Sequence, residues 1–593
     1  MTAPIRYRIQ PARPEAHLFS ISCELADPAP EGQVFTLPAW IPGSYMIREF
    51  ARNIVSIRAE SEGSTVRLEK LDKHSWRAGR VTAGATLLVS YEVYAWDVSV
   101  RTAHLDQTHA FFNGTSVFLL PEGREERECL VEILRPEGPE FRPWKLATAM
   151  EEARGHVGAA RRHDFGLYRA ACYDELIDHP VEMGDFTLAT FEAGGIAHEI
   201  VLSGRHDCDL ERLCADLGRI CQWHIELFGA PPPMQRYLFL TMVVGDGYGG
   251  LEHRASTALL TSRSDLPYRG MKGSSDGYRR FLGLCSHEYF HSWNVKRIKP
   301  AAFVPYDLSC ENHTRLLWAF EGITSYYDDL ALVRSGTVSA DEYLTQLGKT
   351  IGNVLRGSGR FRQSVAESSF DAWTKYYRQD ENAPNAIVSY YTKGALIALC
   401  LDLQMRLASD GRQSLDDLMR VLWERHGKTG EGVAEDGIFE LLAELAGTRL
   451  AGWLRKTVNG TEDLPLARLL KAVGVGYRLE RADAAARLGV KLASGEKLKL
   501  ASVLDDGAAQ QAGLSAGDVL IAMDGLKVSS TSFEARLERL APGDSIRIHA
   551  FRRDELMTFE LVADEAPLTE ARLSLRPRDG SDAMRLRRGW IGV

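Results

Sequence analysis

The sequence predicts a multidomain α+β fold. Three observations carry that prediction. At 593 residues the chain is long enough for three or four domains, each able to bury a core. Its first 175 residues are patterned as short strands. From about 176 onward long helical periodicities take over, and a smaller unit of mixed strands and short helices follows.

Residues 1–175 are expected to form an N-terminal β-sandwich-like domain. The stretch 86–96 is aromatic, β-branched and partly alternating, and 54–57 and 65–68 are similar. W-I-P-G-S-Y at 40–45 reads as a loop between strands. Over 176–475 one strand-like run, 237–244, leads into a glycine-rich turn. Helices are expected over 277–297, 311–335, 340–356, 388–408, 414–426 and 437–446. Residues 476–566 read as a third unit, with strands near 500–504, 517–525, 545–550 and 558–562 and helices near 507–513 and 533–540. The tail, 567–593, is polar and arginine-rich as far as Trp590. It is expected to pack on another domain or to fray.

Composition narrows the function. A net charge of −9 without a long basic block argues against nucleic acid as a partner. No apolar run approaches the ~18 residues of a membrane span. The N-terminus lacks the basic-then-apolar layout of a secretory signal. Nine cysteines, an odd number with no C-x-x-C pair, suggest free buried thiols in a reducing compartment, so a cytoplasmic location is expected. Oligomeric state is not legible.

The chemistry is carried by H-E-Y-F-H at 287–291. On a helix, His287 and His291 lie one turn apart on the same face and can grip one metal ion, the arrangement of zinc metallohydrolases. No cysteines cluster nearby to close a structural site, which leaves three protein ligands and water as the expected set. Glu321, inside the apolar segment W-A-F-E-G-I at 318–323, offers the third ligand, its rival role being a salt bridge to a residue such as Arg315. Glu288 leaves the helix about 100° from His287 and suits the base that takes a proton from water. Gly249, Gly250 and Glu252 follow the predicted strand. The glycines would let an extended peptide approach, and the carboxylate could hold its α-amino group; a turn with an incidental glutamate is the alternative. Tyr391, within the S-Y-Y-T-K-G at 389–394 that opens an apolar helix, could donate to an oxyanion. Gly348-Lys349-Thr350 and Gly427-Lys428-Thr429 lack the earlier glycine of a phosphate loop.

These pieces, in this order, resemble the glutamate-zincin aminopeptidases, the clan of aminopeptidase N and thermolysin. They are most similar to the PDZ-containing glycyl aminopeptidase family. W-x-P-G-S-Y at 40–45 with Arg48, Y-D-E-L-I-D-H-P-V-E-M at 173–183 and H-E-Y-F-H-S-W-N-V-K-R at 287–297 look like that family's recurrent segments. The resemblance implies a thermolysin-like zinc peptidase domain with a helical C-terminal part over 176–475 and a PDZ domain over 476–566. It also implies one zinc per chain on His287, His291 and Glu321, with Glu288 as base. Gly249, Gly250 and Glu252 would bind the substrate amine, and Tyr391 would sit at the oxyanion. Peptides are the implied substrates and small N-terminal residues, glycine and alanine, the implied preference. The implied PDZ groove would take a peptide C-terminus, with Leu488-Gly489-Val490 as its carboxylate loop. His253 departs from the asparagine usual in aminopeptidase N relatives, and the gap from His291 to Glu321 is longer than is common in the clan. An endopeptidase, or a PDZ scaffold with a vestigial metal site, are the rival readings.

Overall fold

The computed structural model describes residues 3–495, 497–576 and 580–593. Its contacts divide the chain into two compact units. The first comprises Met1–Asn312, Ser335–Thr337 and Leu422–Gly432; the second comprises His313–Arg334, Val338–Val421 and Val433–Val593.

The first unit opens with an eight-stranded sheet and two four-stranded sheets. Leu87–Tyr94 alternates buried and partly exposed positions along most of its length, so one face is apolar. Ile5, Tyr7 and Val89 from the large sheet share a core with Phe111 and Phe112 from one small sheet and Phe35 and Trp76 from the other. The expected sandwich-like packing is therefore present. The 40–45 segment is irregular, as expected, and the Trp40 indole donates to the Asp307 carbonyl at 2.7 Å.

A second, five-stranded sheet in this unit runs in the order Thr187–Ala193, Ile196–Ser203, Arg236–Val244, Ser256–Ser262, Tyr248–Glu252. Here the structure corrects the glycine-rich turn expected after 244. Tyr248–Glu252 is itself a strand, antiparallel to Ser256–Ser262, with Gly249 opposite Leu260 and Gly250 opposite Leu259. It is one of the two edge strands. Helix Leu210–Phe228 and helix Asp276–Phe290 complete the layer.

The second unit is helical, then mixed. Ala340–Arg356 and Gly437–Ala446 match their expected spans. The helix expected from 388 begins later, at Thr392–Ala408. The 311–335 helix proves shorter: a π-helical turn, Trp318–Gly322, precedes Ile323–Arg334. The PDZ-like part has strands Val490–Leu492, Leu500–Val503, Val519–Met523, Ser545–Arg552 and Glu555–Val562 and helices Ala508–Gln511 and Ser530–Leu537, around its own core.

The tail is more ordered than its polar sequence suggested. Leu568–Leu575 is a strand pairing antiparallel with Val475–Arg481, so this ribbon brackets the PDZ-like part. Helix Ser581–Ile591 buries Trp590, whose indole donates to the Tyr326 hydroxyl at 3.0 Å. Residues 577–579 of the tail lie outside the described residues. All nine cysteines are free, but only five are buried and Cys310 is exposed. No helix among the described residues is long and apolar enough to cross a membrane.

Candidate active site

Helix Asp276–Phe290 starts where the Ser275 hydroxyl accepts the Tyr278 N–H at 3.1 Å. It ends seven residues short of the expected 297, with His291 as its C-cap. The reason lies in the turn that follows. Asn294 N–H bonds back to the Phe290 carbonyl and Lys296 N–H to that of His291, which brings the Asn294 carbonyl to 2.6 Å from His291 Nδ1. A carbonyl only accepts, so Nδ1 carries the proton and Nε2 presents a lone pair, the tautomer a metal ligand needs. The His287 and His291 rings lie 4.6 Å apart, centroid to centroid, one turn apart as the spacing required.

The helix is clamped from behind by neutral histidines. Burial pushes His224 down to about 3 and His198 to about 4. His224 Nε2 meets the Ser286 hydroxyl and His198 Nε2 the Tyr289 hydroxyl, each at 2.9 Å. Trp293 stacks on Phe228 at 4.9 Å.

The other face of the helix meets the edge strand. Glu252, Glu288 and His291 are all buried, and one donor atom from each lies within 4.8 Å of the others. Gly250 must lack a side chain here: a Cβ on it would sit 1.9 Å from Glu288 Oε1. A Cβ on Gly43 would lie 2.5 Å from both Glu252 oxygens, and its φ of +97° is one that L side chains rarely adopt. The W-I-P-G-S-Y loop of the β-rich domain thus abuts the Glu252 carboxylate, a role its sequence did not reveal. Two buried carboxylates at this range resist joint ionisation unless cations stand beside them. A metal ion on the unprotonated Nε2 of His291 and a substrate ammonium fit that demand.

A charge cluster, also unforeseen, secures the end of the edge strand. Asp178 takes Lys296 Nζ at 2.6 Å, the Arg254 N–H at 2.9 Å and faces His253 Nδ1 at 3.4 Å. Burial alone would raise the Asp178 carboxyl, but Lys296 and Arg254 outweigh it and hold the group well below the usual carboxylate range. The recurrent 173–183 and 287–297 segments therefore meet at one buried ion pair. His253 lies buried beside that ion pair.

In the second unit, Glu321 sits buried on the π-helical turn, a distortion that recurs at functional sites. The Arg315 guanidinium lies over the Phe370 ring at 5.0 Å instead of on Glu321. Tyr391 caps helix Thr392–Ala408; its hydroxyl meets that of Tyr377 at 3.2 Å and its ring stacks on Tyr376 at 5.5 Å. Burial, with a contribution from the Glu321 charge, raises the Tyr376 and Tyr390 phenols. The backbones of the two elements touch: a Cβ on Gly322 would be 2.6 Å from the Gly394 Cα, and one on Gly394 2.9 Å from the Gly322 Cα.

Comparison with known proteins decides the lineage. Family models match residues 6–185 (Peptidase M61 N-terminal domain), 280–397 (M61 glycyl aminopeptidase) and 474–562 (PDZ domain). An aminopeptidase N family protein from Idiomarina loihiensis is 45% identical over 99% of this chain and 100% of its own, with a TM-score of 0.94. The chain belongs to the M61 glycyl aminopeptidase family. It is accordingly a metallopeptidase of aminopeptidase type, with a β-rich N-terminal domain, a helical catalytic domain and a PDZ domain. An M1 zinc metallopeptidase from Deinococcus radiodurans is a distant likeness, 13% identical over 78% of this chain and 94% of its own, with a TM-score of 0.48. A mutant of that enzyme bound to a Tyr-Ser-Ala substrate scores 0.47 at 14% identity, over 78% of this chain and 94% of its own. Curated proteins yielded no match.

Proposed function

We propose that this M61 member removes small N-terminal residues, glycine and alanine, from peptides. It would use one zinc ion per chain, held by His287, His291 and Glu321, a donor set suited to such an ion. The domain limits near 175, 475 and 566 and a cytoplasmic setting belong to the same reading; nine unpaired cysteines favour a reducing compartment.

The carrying observation is the pairing of Glu252 with Glu288 at the end of an edge strand. An extended peptide can add to Tyr248–Glu252 through backbone hydrogen bonds. Its leading ammonium then meets the Glu252 carboxylate, which fixes the cut one residue from the end. The Gly43 backbone packs against that carboxylate, and the preference for small residues follows the glycyl aminopeptidase family the chain belongs to. Bound zinc supplies Lewis acidity, acidifying water and polarising the carbonyl. Glu288 takes the proton of the attacking water and passes it to the departing amine. Tyr391, oriented by the Tyr377 hydroxyl, donates to the oxyanion that forms.

A panel of glycyl, alanyl, leucyl and lysyl reporters, each also N-acetylated, tests this. The free glycyl and alanyl compounds should be cut fastest and the acetylated ones resist. Equal cleavage of blocked and free substrates would make the enzyme an endopeptidase instead.

A further inference from the structure

Two arginines lie against strand Tyr248–Glu252, and only one of them is paired. Arg280 stands over the Tyr248 ring at 5.1 Å and holds the Asp265 carboxylate at 2.5 Å. The Arg101 guanidinium makes no ion pair and no hydrogen bond among the described residues, and its Nε is buried without a partner. Its Nη1 stands 3.8 Å from where a Cβ on Gly249 would be, beside a Val100 methyl at 3.9 Å. A half-buried guanidinium without a carboxylate is costly, and an arriving anion able to accept its forked N–H groups would offset that cost.

The loop that carries Arg101 is pinned. It joins strand Leu87–Tyr94 to strand Ala103–Leu105. The buried Asn113 amide donates to the Val100 carbonyl at 2.8 Å, and Ser99 Oγ accepts the Arg101 backbone N–H at 3.0 Å. The Thr102 hydroxyl donates to the Asp97 carboxylate at 2.8 Å, which engages the one acid of the loop. Arg101, Gly249, Glu252 and Glu288 all belong to the first compact unit.

The strand sets the distance. It pairs with Ser256–Ser262 and with no other strand among the described residues, so its outer edge is the one an extended peptide can use. With its leading ammonium at Glu252, such a peptide has strand beside it only if it runs back towards Tyr248, antiparallel. Strands rise about 3.3 Å per residue, so the three steps from Glu252 to Gly249 cover about 10 Å, the length of an extended tripeptide.

We propose that Arg101 receives the free α-carboxylate of a tripeptide whose amine is held by Glu252. The two charges act as a ruler that selects short peptides with both termini free. Longer chains run past the guanidinium and gain nothing from it. This rests on the aminopeptidase reading, which places the amine at Glu252.

The test uses the zinc-loaded full chain with Gly-Ala-Ala and Gly-Ala-Ala-Ala-Ala-Ala, each as free acid and as C-terminal amide, beside a glycyl reporter. For the tripeptide the acid should exceed the amide roughly tenfold in kcat/KM, carried by KM, as for one charge-assisted contact; for the hexapeptide the two should agree within about twofold. Arg101→Gln should bring the tripeptide ratio to about one, and Arg101→Glu below one, by raising the KM of the acid. If the parent cuts the reporter yet treats tripeptide acid and amide alike, the Arg101 assignment fails alone. A preference for the acid that persists in the hexapeptide, or survives Arg101→Glu, puts the carboxylate elsewhere and also sinks it. The length comparison needs only the parent, so a variant that fails to fold leaves the test intact. A parent that cuts no free-amine substrate removes the aminopeptidase reading and this inference with it.

Discussion

Gly250→Ala isolates the geometry of the base from the stability of the fold. The added carbon would lie 1.9 Å from Glu288 Oε1, more than 1 Å inside the 3.0 Å that real Cβ contacts respect. Its next neighbours are the Glu288 Cδ at 2.5 Å and Cγ at 2.8 Å, so relief comes from swinging that side chain. A displacement of about 1 Å at a reacting group costs on the order of 100-fold in rate, or about 2.7 kcal/mol of barrier. The expected outcome is a kcat/KM for a glycyl reporter about 100-fold down, with zinc content unchanged by metal analysis. Thermal unfolding should drop by only a few degrees, because overpacking a buried site typically costs about 1–3 kcal/mol. Activity within threefold of the parent, with zinc retained, would refute the claim that this glycine positions Glu288.

Glu288→Gln keeps the shape but cannot accept a proton; it should lower kcat by about 100- to 10,000-fold and leave the bound zinc in place by metal analysis. Tyr391→Phe should reduce kcat by about 10- to 1,000-fold while KM moves less than threefold in steady-state assays, as for loss of an oxyanion donor. Asp178→Asn leaves Lys296 buried beside a neutral amide and should destabilise by about 3–5 kcal/mol, read by urea unfolding. The native Asp178 carboxyl is depressed, so its contribution is present above the unfolded value of about 3.9 and is lost as pH falls through the folded one. Melting curves below pH 4 should therefore fall more steeply for the parent than for the variant.

What could be read from the residues was local. The i, i+4 histidines fix their own geometry wherever a helix forms, and the capping box before 340 and the glycine after 446 mark the limits of their helices. The end of the 276–290 helix could not be read, because it is set by the Asn294 carbonyl returning to His291. Glycines at 249 and 250 weaken any strand signal, so the edge strand looked like a turn; pairing with Ser256–Ser262 overrides that. The tail packs, one of its two expected fates, but its strand was hidden for a similar reason. Its arginines read as polar, yet alternate residues of Leu568–Leu575 find a partner strand about ninety positions earlier. Contacts such as Gly43 with Glu252, or Asp178 with Lys296, join segments more than a hundred residues apart and leave no periodic trace.

The crossing of Gly322 and Gly394 has a dynamic consequence. A carboxylate one residue before the first glycine and a phenol three residues before the second share a single pivot with no side chains to cushion it. Thermal jostling should carry the two as one rigid piece, preserving their spacing even as the surrounding helices breathe. Heat would then erode catalysis abruptly, when that pivot slips, rather than by gradual loosening of either group.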